Sequence, residues 1–192
     1  MDCLKCAAKT CRSGTGCGAE TFTRDDIRSE YTEPGSQEIL QAAASLVDNG
    51  RAGTLSRIEE IMEFARKMQY RKIGLAYCYG MENDARAVRE LFRQHGLNLS
   101  GISCTVGGIA QDEINQQSCI HKVSCNPIGQ ATQLNEEGVD FVIIMGICLG
   151  HDILLQRNLK ADFTTFVVKD RIFRHNPLEG VKGSQVSKEE NG

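Results

Sequence analysis

No stretch of this 192-residue chain approaches the run of about 18 to 20 apolar residues that a membrane-spanning helix needs. The N-terminus is rich in Cys, Gly and Thr instead of being basic and then apolar, so no secretory signal peptide is expected. Concentrated basic runs are missing too: 22 Lys and Arg are scattered among 25 Asp and Glu, and the formal net charge is -3. That balance argues against nucleic acid and anionic membranes as main partners and leaves small molecules and proteins. No internal repeat is visible, and the expected location is the cytoplasm. With 41% hydrophobic residues the chain has enough apolar surface for one real core, so it is not disordered as a whole.

Cysteine is the residue in excess. Nine occur, and in a reducing compartment clustered thiols are more often metal ligands or catalytic groups than disulfide partners. Cys3, Cys6, Cys11 and Cys17 are compact, spaced C-x2-C-x4-C-x5-C at the extreme N-terminus. Cys78, Cys104, Cys125 and Cys148 are dispersed, and Cys119 is left over. A single cysteine is ordinarily a small buried hydrophobe. Four within fifteen residues are not explained that way.

Residues 1 to about 20 hold almost no large apolar side chain besides Leu4, so burial alone cannot fold them and a metal is expected to organise them. Helical spacing runs from Ser36 to Asp48 through Ile39, Leu40, Ala43, Ala44 and Val47, with Gly50 as a stop. A second helix starts at Ser56, whose S-x-x-E pattern with Glu59 is a capping box. After Tyr70 short apolar strands alternate with helices. The strands are 72–78, 97–106, 141–148 and 163–168; the helices run over 84–95, from Asn126 and Pro127 to Gly138, and onward from Asp152. The segment from Gly107 to Ser124 is polar and gives no clear element.

This alternation predicts an α/β fold with a three-layer, mostly parallel, Rossmann-like sheet and right-handed crossovers, preceded by a Cys-rich metal-binding segment. The expected organisation is a Cys-rich segment over 1–20, an α/β domain with two leading helices over 21–180, and a disordered polar tail over 181–192.

Open parallel sheets bind ligands outside the carboxyl ends of their strands. Cys78, Cys104 and Cys148 fall near the ends of predicted strands, and Cys125 precedes a helix that reaches the same edge, so the dispersed quartet is expected to converge there. Four thiolates hold one zinc ion tetrahedrally or the irons of a cubane cluster. Zinc ribbons use two C-x2-C knuckles, and only Cys3 with Cys6 makes one here. The irregular N-terminal spacing in a Gly-rich loop suits the wider corners of an iron-sulfur cluster better. For the dispersed four the plain alternative is core cysteines that happen to end strands. Gly107, Gly108 and Asn126 are the expected cofactor-binding residues, since glycine lets backbone N–H groups come close to cluster sulfur, although a glycine there also serves simply to turn the chain.

A different chemistry is offered by Gly146-Ile147-Cys148-Leu149-Gly150. G-x-C-x-G between a strand and a helix is the setting of a nucleophile elbow with Cys replacing Ser, and His151, Asp170 and His175 are its available partners. A hydrolase using Cys148 is therefore an alternative, against which stand the short sheet and the three other thiols at the same edge. Lys169 and Arg171 follow the last strand at this edge, and His151 opens the helix beside Cys148. Cys148, His151, Lys169 and Arg171 are the expected catalytic group, the two cations binding an anionic substrate or offsetting cluster charge.

These segments together resemble a family of uncharacterised metal-binding proteins of anaerobic prokaryotes, catalogued as domain of unknown function 1847. The resemblance is carried by the N-terminal quartet, Gly74-Leu75-Ala76-Tyr77-Cys78, Val106-Gly107-Gly108, Cys125-Asn126-Pro127-Ile128-Gly129-Gln130-Ala131, Gly146-Ile147-Cys148-Leu149-Gly150-His151-Asp152, Val168-Lys169-Asp170-Arg171 and His175-Asn176-Pro177. It covers nearly all the chain apart from the tail, and it implies metal binding through cysteines without an established reaction.

The expected function is that of a cysteine-ligated iron-sulfur protein. One 4Fe-4S cluster would sit on Cys3, Cys6, Cys11 and Cys17, and a second cluster or thiol site on Cys78, Cys104, Cys125 and Cys148. It would serve electron transfer or small-molecule redox or sulfur chemistry, with a small substrate or a redox partner protein. The alternative is a zinc protein with a structural or interaction role.

Overall fold

A computed structural model describes residues 1–182, so the expected tail over 181–192 falls almost wholly outside the described residues. The chain divides into two compact units, Met1–Ala52 and Gly53–Gly192.

In the first unit Cys3 and Cys11 lie on short 3-10 turns, Cys3–Lys5 and Thr10–Ser13, with Cys6 ending the first and Cys17 beyond the second. The Asp2 carboxylate accepts the Leu4 N–H at 3.0 Å and so caps the first turn. Two helices follow, α1 (Arg24–Thr32) and α2 (Pro34–Val47). Thr23 caps α1 by accepting the Asp26 N–H, and Pro34 takes the first turn of α2, where its missing N–H costs nothing. The expected helix over Ser36–Asp48 is thus α2, beginning two residues earlier. Nothing in the sequence pattern announces α1, because Ile27 and Tyr31 are too few apolar positions to make a period.

The second unit opens with α3 (Arg57–Lys67), and its capping box is formed: Glu59 accepts the Ser56 N–H at 2.7 Å. Then come β1 (Ile73–Tyr77), α4 (Glu82–Gln94), β2 (Leu99–Ser103), α5 (Gln111–Ile114), α6 (Pro127–Glu136), β3 (Phe141–Met145), α7 (His151–Asn158) and β4 (Asp162–Val167). The strands form one sheet in the order β2-β1-β3-β4, and every pair is parallel. The segment after β2, which gave no element in the sequence, is held by α5 and by an antiparallel bridge between Ala110 and Val123.

Period-two alternation divides the core into two faces. Ile73, Leu75, Phe141, Ile143 and Met145 pack with Ile61, Met62 and Ala65 of α3 and with Val88 and Phe92 of α4. Ala76, Val142 and Ile144 face the other way, against Ala131 and Leu134 of α6 and Leu155 of α7. The unit is therefore three-layered, with its central strands covered on both faces, as a parallel sheet requires.

From β1 the chain steps out to β2 on one side, then returns across the sheet to place β3 on the other. That reversal makes a topological switch point at the carboxyl ends of β1 and β3, the position where open α/β sheets form a binding crevice. Among the described residues no helix is long and apolar enough to cross a membrane.

Candidate metal centre at the strand ends

Cys78 and Cys104 come immediately after β1 and β2, each held by one further step of sheet-like bonding: Cys78 N–H to Met145 O at 3.1 Å, and Cys104 N–H to Tyr77 O at 2.9 Å. Cys148 follows β3 through a turn at Gly146. Cys125 arrives from the far side of the 105–124 excursion, fixed because the Asn126 N–H donates to Cys104 O at 2.6 Å. The structure thus brings Cys78, Cys104, Cys125 and Cys148 to one edge.

Their partners sort the four into two kinds. Lys169 Nζ lies 3.4 Å from Cys78 Sγ, and Arg171 Nη2 lies 3.0 Å from Cys148 Sγ. Cys125 Sγ stands 3.5 Å from Cys104 Sγ, and the Tyr79 N–H donates to Cys104 Sγ at 3.3 Å. Burial pushes the Cys104 thiol up to about 12, with Cys125 and Cys78 adding to the rise and the Tyr79 N–H opposing it. Burial also raises Cys125, as do the charges of Cys148 and Cys78, while Arg171 acts in the opposite sense. Cys78 and Cys104 are buried; Cys125 and Cys148 are half-buried, so the crevice is open on their side.

Two residues shape the backbone here. Gly146 has φ +64°, and a Cβ on it would stand 2.1 Å from Met81 Sδ, so the turn into Cys148 requires glycine. Asn126 caps α6 by accepting the Gly129 N–H at 2.8 Å and donates to Val106 O at 3.1 Å, tying the helix to the turn after Cys104. The Gly108 N–H is engaged by Thr105 O at 3.1 Å within that turn. Gly107, at φ +83°, lies beside the Asn126 amide.

A further residue at this edge is given no role by the sequence pattern. Gln130 is fully buried, its Nε2 donating to Tyr77 O at 3.2 Å and to Ile102 O at 2.8 Å, so it clamps together the ends of the two strands that deliver Cys78 and Cys104. Its Oε1 is buried with no partner among the described residues. The apolar spacing of this helix marks Ile128, Ala131 and Leu134 as its buried positions; Ala131 and Leu134 are buried, but Ile128 is 47% exposed. The available signal was a glutamine placed between Pro127 and the buried Ala131 and Leu134 of a short helix.

Among the described residues no hydrogen bond links Cys148 Sγ to His151 or His175. Cys148 Sγ receives Arg171, not a histidine. Asp170 is occupied with the N–H groups of Ile172 and Phe173, and His175 Nδ1 meets the Asp170 N–H at 3.2 Å. His151 Nδ1 is buried without a partner among the described residues, and Asp152 accepts the N–H groups of Gly150 and Ile153 at the start of α7.

In the N-terminal unit the Lys9 N–H donates to Cys6 Sγ at 3.4 Å, and Cys17 Sγ lies 3.9 Å from Met1 Sδ. Among the described residues no hydrogen bond joins two of the sulfurs of Cys3, Cys6, Cys11 and Cys17, three of which are exposed. Cys119 is exposed as well. Over the described residues as a whole, no three His, Cys, Asp or Glu side chains stand as a ready-made site for a metal ion.

As a donor set, the strand-end residues suit a thiophilic metal: four soft sulfurs, an N–H bond to one of them, and two cations to offset the two net negative charges of a dicationic centre with four thiolates. Two thiolates on one tetrahedral zinc stand about 3.8 Å apart, close to the Cys104–Cys125 separation, whereas a cubane cluster places each thiolate on its own iron.

Fold and site together define a parallel α/β protein with a thiol-lined crevice at its switch point. The chain belongs to the family described as Protein of unknown function (DUF1847), which matches residues 17–166. That span includes Cys17 and the four strand-end cysteines and stops short of Lys169 and Arg171. The chain is also 39% identical over 181 residues to an uncharacterized protein of Methanocaldococcus jannaschii, covering 92% of this chain and 91% of that protein. Among solved structures there is no significant match.

Proposed function

We propose that this chain is a cysteine-ligated metal protein whose working centre is the crevice formed by Cys78, Cys104, Cys125 and Cys148. The observation that carries the proposal is the convergence of four thiols and two cations at the switch point of a parallel sheet. An iron-sulfur cluster is the favoured occupant, and it would supply one-electron transfer or activation of a small substrate. Lys169 and Arg171 neutralise the thiolates, and the Tyr79 N–H bonds one sulfur. The half-exposed side at Cys125 and Cys148 admits a small substrate or faces a redox partner protein. Cys3, Cys6, Cys11 and Cys17 would hold a second metal that folds a segment too poor in apolar residues to fold alone. The cytoplasm, where thiols stay reduced, is the compartment this chemistry needs.

Zinc is the second reading, favoured by the 3.5 Å contact between Cys104 and Cys125, which suits one edge of a single tetrahedral ion. Iron, zinc and acid-labile sulfide measured on protein purified without air decide between them. Brown protein with iron and sulfide in equal amounts supports the cluster; colourless protein with stoichiometric zinc overturns it. Cys148→Ser should remove part of the metal, Cys6→Ser another part, and the double variant nearly all.

A further inference from the structure

The four strand-end thiols are not equivalent. Cys78 and Cys148 each face a cation, at 3.4 Å and 3.0 Å, whereas Cys104 and Cys125 face each other at 3.5 Å. A disulfide holds its sulfurs about 2 Å apart, so this pair needs to close by only about 1.5 Å. The backbone already brings the two residues together, since the Asn126 N–H donates to Cys104 O at 2.6 Å. Cys104 and Cys125 also bracket the 105–124 excursion, whose base is tied by Ser124 N–H to Ile109 O at 2.9 Å and Gln111 N–H to Lys122 O at 2.9 Å. A covalent link there would close a loop that is already closed by hydrogen bonds.

We propose that Cys104 and Cys125 form a two-electron redox couple, closing to a disulfide on exchange with a small-molecule disulfide and thereby withdrawing two of the four sulfurs from metal binding. Cys125 is the entry point, because it is half-buried while Cys104 is buried. Its thiolate attacks one sulfur of the incoming disulfide, forming a mixed disulfide and releasing one thiolate. Cys104 sulfur then attacks Cys125 sulfur and expels the second thiolate. Two protein thiols thus lose two protons and two electrons, which reduce one external disulfide to two thiols. Reversal by a dithiol restores both sulfurs. A disulfide sulfur is not a thiolate ligand, so closure and four-cysteine metal binding exclude each other. The redox couple stands on the sulfur contact alone; the exclusion of metal rests on the metal reading of the same crevice.

The test uses the full chain, stripped of metal under argon and equilibrated with graded ratios of oxidised and reduced glutathione. Free thiols are trapped with N-ethylmaleimide and the non-reduced digest is mapped by mass spectrometry. The expected result is a peptide pair linked through Cys104 and Cys125, with both thiols lost from maleimide labelling in step. Cys148→Ser should retain the link, and Cys125→Ala, checked for native circular dichroism, should lose it. Absence of the link at every ratio, or pairing of Cys104 with Cys78, overturns the couple. Zinc added before the oxidant should prevent the link, and oxidised protein should no longer retain zinc at this site. A link that forms regardless of bound zinc leaves the couple standing and removes the metal reading of the crevice. Zinc binding to all four thiols with no link at any ratio does the reverse.

Discussion

Arg171 Nη2 donates to Cys148 Sγ at 3.0 Å, joining the loop after β4 to the turn after β3. Lys169, two residues earlier, reaches Cys78 Sγ at 3.4 Å from the same loop. One short segment thus sets the charge balance of two cysteines that follow different strands. Arg171→Gln keeps polar bulk but removes the cation, so a tetrathiolate centre would be left with excess negative charge. Metal affinity is expected to fall about tenfold, the lower end for loss of an outer partner of a metal ligand, and the Lys169→Gln, Arg171→Gln double variant should fall further. Competition with a chromophoric chelator measures it. Unchanged retention in the double variant would assign both cations to substrate rather than to the metal.

How far this arrangement can be read from sequence depends on what each residue does. β1 and β3 are legible because both of their faces are buried, which writes Ile73–Tyr77 and Phe141–Met145 as short apolar runs between turns. The second and third strands, expected over 97–106 and 141–148, are overestimated: the chain leaves the sheet after Cys104, where the Val106 N–H turns back to Ser103 O, and after Met145, where Gly146 turns it at positive φ. Convergence of Cys78, Cys104 and Cys148 follows from topology alone, since parallel strands end on one edge. Which thiol meets a cation and which meets another thiol does not follow, because it depends on side-chain reach across loops whose conformation no periodicity encodes. Gln130 is invisible for a related reason: its work is to satisfy two carbonyls, Tyr77 O and Ile102 O, that belong to other segments.

Gly146 and Gly150 flank Cys148 and both have positive φ, +64° and +85°, yet they should respond differently to alanine. At Gly150 a Cβ meets nothing within 4 Å, so Gly150→Ala carries only the backbone cost, about 2 kcal/mol. At Gly146 the Cβ would also strike Met81 Sδ, adding an overpacking cost for about 4 kcal/mol in all. Urea denaturation should therefore rank Gly146→Ala well below Gly150→Ala. Equal losses would mean that Met81 moves aside freely.

Gln130→Met should preserve volume in α6 but remove the amide that bonds Tyr77 O and Ile102 O, of which Tyr77 O keeps the Cys104 N–H. Some of that loss is returned by removing the buried, unpartnered Oε1, so a net cost of about 2 kcal/mol is expected. Gln130→Glu should be worse at neutral pH, because it buries a carboxylate against the same two carbonyls. Burial raises the folded pKa of such a glutamate above its unfolded value, so its penalty is present at high pH and shrinks as falling pH protonates it. Urea midpoints of both variants across the acid range test this; a Glu variant as stable as wild type at neutral pH would remove the clamp from the account.

Asp140 links the entries to β1 and β3. Its carboxylate accepts the backbone N–H groups of Lys72 at 2.9 Å and Arg71 at 2.8 Å. Those two bonds, the Lys72 one first, hold the Asp140 carboxyl below its ordinary range, with the charges of Lys72 and Arg71 adding to the effect. A depressed folded pKa contributes stability that is complete above the unfolded value and is lost as pH falls through the folded value. Asp140→Asn keeps the shape and one acceptor oxygen but carries no charge. Wild type should therefore be more stable than the variant at neutral pH by a constant margin. That margin should begin to shrink below the ordinary aspartate range and vanish once the carboxyl is protonated in both states. The carboxylate is exposed, so the margin is small and best read as a difference in thermal midpoint at matched pH. A difference that persists unchanged to the acid limit would mean that the amide disturbs the junction by shape, and that the charge on Asp140 contributes nothing to joining the two strands.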